Sequence, residues 1–280
     1  MSGIKVVTDS ACDLSSAMVE ERGIKVVPLT IRFGEEEFVD RQELSTKEFW
    51  DRVTTGSIIP DTAAPSPGSF RDAFLEAADE GADGVACITL SSGVSATYQS
   101  AVAAAADVAD RIRVSVTDSL SLTMGLGLLV LSAADAAESG AALDDVDGEV
   151  RRWRDRTRVL GVIDSLEFLK RGGRIGGAQQ LMGSLLSIKP VIEIRQGIVE
   201  VESRQRTRAR SLQYLADKVQ SAGPLQRVAV ANGAAADIGE LLSRLTDIDT
   251  VNEMIVTDLG PVVGAHGGPG TVGVCFQLVA

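Results

Sequence analysis

"GADGVACITLSSGVSATYQSAVAAAADVAD", residues 81–110, contains the transition that decides the fold. Its first part is almost continuously apolar from Val85 to Leu90, broken only by Thr89, the pattern of a strand buried on both faces. From Ser95 onward the sequence is rich in alanine, the strongest helix former. Between them Ser91, Ser92, Gly93 and Ser95 make a short turn from strand into helix. A strand that passes directly into a helix is half of a βαβ unit, in which parallel strands are joined by a helical crossover.

The same succession recurs on both sides. "IKVVTDS" (4–10) precedes the helical "DLSSAMVEERG" (13–23), and "RIRVSVTDS" (111–119) precedes "LSLTMGLGLLVLSAADAAESG" (120–140). Regular alternation predicts an α/β fold with a parallel sheet covered on both faces. The run "IKVVPLTIRF" (24–33), an acidic turn at 34–37 and "FVDRQELSTKEFWDRV" (38–53) lie within this half. "TDS" ends two of the strands, at Thr8–Ser10 and Thr117–Ser119. These residues either cap the following helices or shape a crevice at the carboxyl ends of the strands.

The character changes at the charged stretch "LDDVDGEVRRWRDRTR" (143–158), which suggests a division into residues 1–150 and 151–280. Beyond it, "VLGVID" (159–164) reads as a strand, and two helical pieces flank "KRGGRIGG" (170–177). "PVIEIRQGIVEVESR" (190–204) reads as a β-hairpin turning at Gln196-Gly197. A helix from about Ser211, the strand "RVAVANG" (227–233), the helix "AADIGELLSRL" (235–245) and the strands "EMIVTDL" (253–259) and "TVGVCFQLV" (271–279) complete an α+β half.

Composition narrows the function. The 280 residues carry a formal net charge of −12, which disfavours nucleic acid and anionic membrane surfaces as general partners. No apolar run approaches the roughly 20 residues of a membrane span, and the chain starts in a strand rather than a leader. Cys12, Cys87 and Cys275 are scattered without paired spacing, which suits a reduced, cytoplasmic protein and no zinc site.

Four constellations bear chemistry. The "LSSGVSATYQSA" turn (90–101) offers hydroxyls, free N–H groups and a helix N-terminus, the elements of an anion site. It lacks the lysine of a Walker loop and the glycines of a dinucleotide fingerprint. "PDTAAPSPGSF" (60–70) places Thr62 in a proline-stiffened loop, with Ser66 and Pro67 reading as a cap and first helical residue. From Ser165 to Arg210 nine Lys or Arg stand against four Glu, a basic region suited to a carboxylate, a phosphate or an acidic partner. Lastly, "GPVVGAHGGPGTVG" (260–273) holds the single histidine, His266, in a glycine-rich setting where the backbone approaches a neighbour closely or takes positive φ.

Eight segments in order resemble the DegV family of bacterial fatty-acid-binding proteins: "VVTDSACDL", "DTAAPSPGSF", "LSSGVSATYQSA", "VTDSLSLTMGLG", "LEFLKRGGRIGG", "SIKPVI", "RTRAR" and "GPVVGAHGGPGTVG". The resemblance implies a Rossmann-like N-terminal domain, a C-terminal α+β domain and a long-chain fatty acid in an apolar tunnel between or beneath them. It implies that Thr62 and Ser95 hold the carboxylate, with Ser92, Gly93, Arg174 and His266 around the headgroup. It further implies a carrier without turnover of its own and without a cofactor or metal. Such a carrier presents the acid to a separate ATP-dependent fatty acid kinase subunit, for acyl phosphate formation and phospholipid synthesis. Arg206 and His266 fall where that subunit is met.

The sequence departs from the family's pattern at Ala63, at Ala96 and at Thr123, where serine is common in the last case. None removes a proposed ligand. Two other readings of the same residues stand beside the carrier: a serine/histidine acyl hydrolase built on Ser92 or Ser95 with His266, and a lipid sensor without a kinase partner.

Overall fold

A computed structural model describes residues 3–181 and 188–279. β1 (Ile4–Asp9) passes through a 3-10 turn (Ser10–Cys12) to α1 (Ser16–Glu21) and β2 (Lys25–Val27). β2 stops before Pro28, which has no N–H to give a ladder. The chain then enters a second sheet, made of β3 (Thr30–Phe33), β4 (Glu36–Val39) and, after α2 (Thr46–Thr55), β5 (Asp61–Ala63). This three-stranded antiparallel sheet has the order β4-β3-β5. The run 24–33 therefore serves two sheets, a split its unbroken apolar character concealed.

α3 (Pro67–Asp79) starts as the sequence predicts, with Ser66 Oγ accepting from the Ser69 N–H and Pro67 in the first turn. β6 (Gly84–Thr89), α4 (Thr97–Asp107) and β7 (Val114–Asp118) follow. The parallel sheet has the order β2-β1-β6-β7, so the alternation read from the sequence is borne out. α5 (Thr123–Glu138) and α6 (Leu143–Arg154) come next. The charged stretch 143–158 is mostly α6, which buries Leu143, Val146 and Val150 and turns its charges outward.

The remaining chain runs β8 (Thr157–Val162), α7 (Glu167–Arg171), a 3-10 helix (Gly176–Leu181), β9 (Lys189–Arg195) and β10 (Ile198–Gln205). α8 (Arg208–Gln220), β11 (Leu225–Gly233), α9 (Ile238–Arg244), β12 (Ile255–Asp258), α10 (Pro261–Gly267) and β13 (Thr271–Leu278) complete it. The six-stranded sheet has the order β10-β9-β8-β13-β11-β12. Gln196 (φ 47°) and Gly197 (φ 82°) make the β9–β10 turn, both with the positive φ that a type I′ hairpin requires.

Alternation along the strands explains the layering. In β1 and β6, Val7, Val85 and Cys87 face α3 and α4, while Val6, Ala86 and Ile88 face α5. In the six-stranded sheet, Leu160, Val228, Val230, Val272 and Val274 face α8 and α9. Val159, Ala229, Ala231 and Cys275 face the same α5 core as the parallel sheet. α5 thus lies between two sheets, and residues 123–134 are buried on all sides, as expected of a helix apolar all round. Cys12, Cys87 and Cys275 are free and buried, and burial raises each thiol pKa, that of Cys12 to about 12. Among the described residues no helix is long and apolar enough to cross a membrane.

Candidate functional site

The inner face of the six-stranded sheet floors an apolar cavity with an empty volume of about 840 Å3, part of it open to solvent. Val159, Gly161 and Ile163 of the β8 run, with Ile192 and Ile194 of β9, form the floor. Leu90 and Val94 after β6, Leu122 and Thr123 at the start of α5, and Val262 and Val263 of α10 form the facing walls. The polar lining includes Thr62, Ser95, Arg174 and His266, all half-buried.

Two of the four are hydrogen-bonded to each other, and the others are held by their neighbours. Thr62 Oγ1 lies 2.9 Å from His266 Nε2. Arg174 Nε donates to the Val94 carbonyl at 3.1 Å, beside Ser95, and its Nη1 donates to the Gly172 carbonyl. Gly172 packs against the imidazole: a Cβ there would stand 2.1 Å from His266 Nδ1. Ser95 Oγ pairs with Thr97 Oγ1 at 2.8 Å and accepts from the Thr97 N–H at 3.3 Å. Ala96, at the N-cap of α4, has no side-chain acceptor and Ser95 takes only the Thr97 N–H, so the next N–H groups of the first turn keep their donor capacity.

Local structure fixes each residue. Thr62 sits on β5, opposite Ile31 of β3, rather than in the extended loop that its prolines suggested. His266 is in the last turn of α10, not in a glycine loop. Pro261 opens this helix and Gly268 (φ 76°) closes it, the usual proline-first, glycine-last asymmetry. Gly264 seats α10 on α2, for a Cβ there would come 2.7 Å from the Phe49 ring and 2.9 Å from Trp50. Trp50 Nε1 donates to the Leu259 carbonyl at 2.9 Å, fixing the approach to the helix.

His266 titrates at about 4, lowered first by burial and then by the Arg174 charge, against a smaller opposing effect of Asp61. It is therefore neutral at physiological pH. Nδ1 is buried without a hydrogen-bond partner among the described residues. In the tautomer that carries its proton on Nε2, the imidazole donates to Thr62 Oγ1. The Thr62 hydroxyl hydrogen is then left to donate into the cavity.

Ser92 and Gly93 do not line the cavity. Ser92 gives its hydroxyl and its N–H to Asp118 of the second "TDS". Gly93 packs on the β9–β10 turn, where a Cβ would come 2.9 Å from the Gly197 carbonyl oxygen, and Ser91 Oγ donates to that same oxygen at 2.7 Å. Asp9 of the first "TDS" caps the 3-10 turn through Ala11 and also accepts from the Leu90 N–H at 2.7 Å. Asp9 thus caps only a 3-10 turn, Ser15 caps α1, and α5 has no side-chain cap among the described residues, while both motifs hold the serine turn in place. Arg206 is exposed and does not line the cavity. Lys170, Arg204, Arg206 and Arg210 make no ion pair among the described residues, whereas Lys189, Arg195 and Arg208 are paired with acids. Ser187 of "SIKPVI" lies outside the described residues.

Sequence reading missed Gly172, whose bareness makes room for His266, although the Gly-Gly pair after two basic residues was its signal. It also missed the support of the cavity wall at Thr123. Thr123 Oγ1 donates to Asp13 Oδ2 at 2.6 Å, and both residues have positive φ, 47° and 52°.

A family model described as "Uncharacterised protein, DegV family" matches residues 3–278. A DegV domain-containing protein of Streptomyces coelicolor is 33% identical over 97% of both chains. The solved structure of a DegV family protein from Thermus thermophilus, reported for fatty acid binding, superposes with a TM-score of 0.90 at 34% identity, covering 99% of this chain and 100% of that one. A stearic-acid-binding protein from Eubacterium ventriosum superposes with a TM-score of 0.87 at 27% identity over 98% of each chain.

Proposed function

The chain belongs to the DegV family, and on that premise we propose that it is a fatty-acid carrier whose cavity takes the acyl chain and whose Thr62, Ser95, Arg174 and His266 receive the carboxylate. The observation that carries this reading is the cavity itself, lined mainly by apolar side chains, with Thr62, Ser95, Arg174 and His266 among its few polar ones. A carboxylate buried without donors would be strongly disfavoured. Here the Thr62 and Ser95 hydroxyls donate, and Arg174 supplies the counter-charge. His266, neutral, orients Thr62 rather than competing for the acid.

The same arrangement favours a carrier over an acyl hydrolase. Ser95 pairs with Thr97, the imidazole Nε2 faces Thr62, and Nδ1 has no carboxylate to orient it. A serine nucleophile needs its base within hydrogen-bond reach and that base oriented by a third group.

The carrier presents the bound acid to a separate ATP-dependent kinase subunit, which makes the acyl phosphate. The exposed, unpaired Arg204, Arg206 and Arg210 offer a basic surface for that partner. Mass spectrometry of the purified protein, native and then denatured with lipids extracted, is the test. One fatty acid per chain is expected, with retention weakened about ten- to a hundredfold for each of Thr62→Ala and Ser95→Ala. A protein that stays empty when offered fatty acids rules the reading out. Arg206→Ala is expected to keep its lipid and to lose phosphorylation by a co-purified kinase; loss of lipid instead would place Arg206 in the pocket or the fold.

A further inference from the structure

Glycine suits a strand interior poorly, having no side chain to pack and the most backbone freedom to lose. Yet β8 and β13 set Gly161 and Gly273 directly opposite one another, inside the six-stranded sheet. Ile192 of β9 and Ala231 of β11 flank them, so one row across four strands reads Ile192–Gly161–Gly273–Ala231. Both glycines line the cavity.

Two ordinary reasons for a glycine fail here. Neither residue has positive φ, so the backbone does not require it. Close packing does not require it either. A Cβ on Gly161 would meet nothing nearer than Ile192 Cγ1 at 3.6 Å, and one on Gly273 nothing nearer than Ala231 Cβ at 3.8 Å. Gly125 and Gly127 of α5 show the contrast, since a Cβ would come 2.2 Å from Val159 Cγ2 and 2.5 Å from the Cys12 carbonyl oxygen. Those two glycines are set by their protein neighbours. Gly161 and Gly273 instead leave bare backbone lining the cavity, while Val159, two residues before Gly161 on β8, carries a full side chain.

Resting on the carrier reading above, we infer that Gly161 and Gly273 are chain-length-determining positions: their backbone forms a trough in which the acyl chain lies against the sheet. A methylene chain packs on backbone atoms at about 3.5–4 Å, the space that a Cβ at either position would occupy. An added methyl therefore displaces chain rather than protein, and the site then takes a shorter or differently bent tail.

The test uses the full-length protein, stripped of lipid, as wild type and as Gly161→Ala, Gly273→Ala and Gly161→Val. Each is equilibrated with an equimolar mixture of saturated acids from lauric to arachidic, and the bound acids are extracted and quantified by mass spectrometry. Thermal unfolding of the lipid-free forms runs in parallel. The expected result is a shift toward shorter acids in both alanine variants, with the longest acid bound by wild type losing about ten- to a hundredfold relative to the shorter ones. Gly161→Val shifts further. Lipid-free Tm stays at or above that of wild type, because alanine and valine suit a strand better than glycine. An unchanged length profile in a wild type and variants that all load overturns the inference alone. So does equal loss of every acid, and so does a lowered lipid-free Tm or loss of fold in both alanine variants, which would make these packing glycines after all. A wild type that takes up none of the acids overturns the carrier reading and this inference together.

Discussion

Beneath the cavity wall, Asp9, Asp13 and Asp40 are almost wholly buried around the Arg41 guanidinium. Burial dominates all three: Asp9 and Asp13 titrate at about 7 and Asp40 at about 6, with Arg41 and local hydrogen bonds lowering them only in part. A carboxyl whose folded pKa is raised adds stability below its unfolded value and loses it as pH rises through its folded value. The His266 imidazole works the other way, weakening the fold as pH falls from its ordinary 6.5 toward about 4. Three carboxyls outweigh one imidazole, so lipid-free protein is expected to melt higher at about pH 5.5 than at about pH 8. Thermal scans across that window check it, and Asp9→Asn with Asp13→Asn is expected to flatten the slope. An upward trend with pH in the wild type would refute the assignment. At this scale the sequence pointed to the polar lining residues through ordered motifs, but not to the helix that carries His266. It did not disclose the pairing of Asp13 with Thr123, 110 residues apart, because a contact between distant segments leaves no period in either.

At the scale of the element, α10 owes its position to one missing side chain. Gly264→Ala drives a methyl into Phe49 and Trp50, and overpacking of this kind usually destabilises by about 1–3 kcal/mol. Urea denaturation is expected to show that loss. Fatty acid retention should fall as well, since the helix carries Val262, Val263 and His266 into the cavity. Retention equal to wild type would mean that α10 adjusts without moving its lining residues. The helix was written in the sequence as Pro261 at its start and Gly268 after its end, but four glycines in eight residues read first as loop. The strands of the parallel sheet were plain because each is a short apolar run followed by a helical pattern. The three-stranded sheet was not, because Val27, Pro28 and Leu29 continue the apolar run across the point where the chain changes sheets.

Across the whole molecule, α5 joins what composition divides. Its core draws on residues from Val6 to Cys275. Polar contacts add to it: Arg227 of β11 pairs with Asp135 and donates to Ser132, and Gln277 of β13 donates to Ser132. Neither half can open this face without exposing the other, so one cooperative unfolding transition is expected by both calorimetry and circular dichroism. Two separated transitions would show that the halves on either side of residue 150 are energetically independent. The all-apolar character of "MGLGLLVL" fits the burial of this helix on every side, but it does not identify the second surface packed against it.

The three sequestered thiols give this chain an internal stopwatch. Cys87 reports on the side of the parallel sheet under α3 and α4, whereas Cys12 and Cys275 report on the shared core around α5. Since none is reachable or readily ionised while its layer stays shut, a maleimide in excess records the moment of opening rather than the chemistry of the sulfur. The order in which the three are tagged would time the outer layer against the shared core, with no probe engineered into the protein.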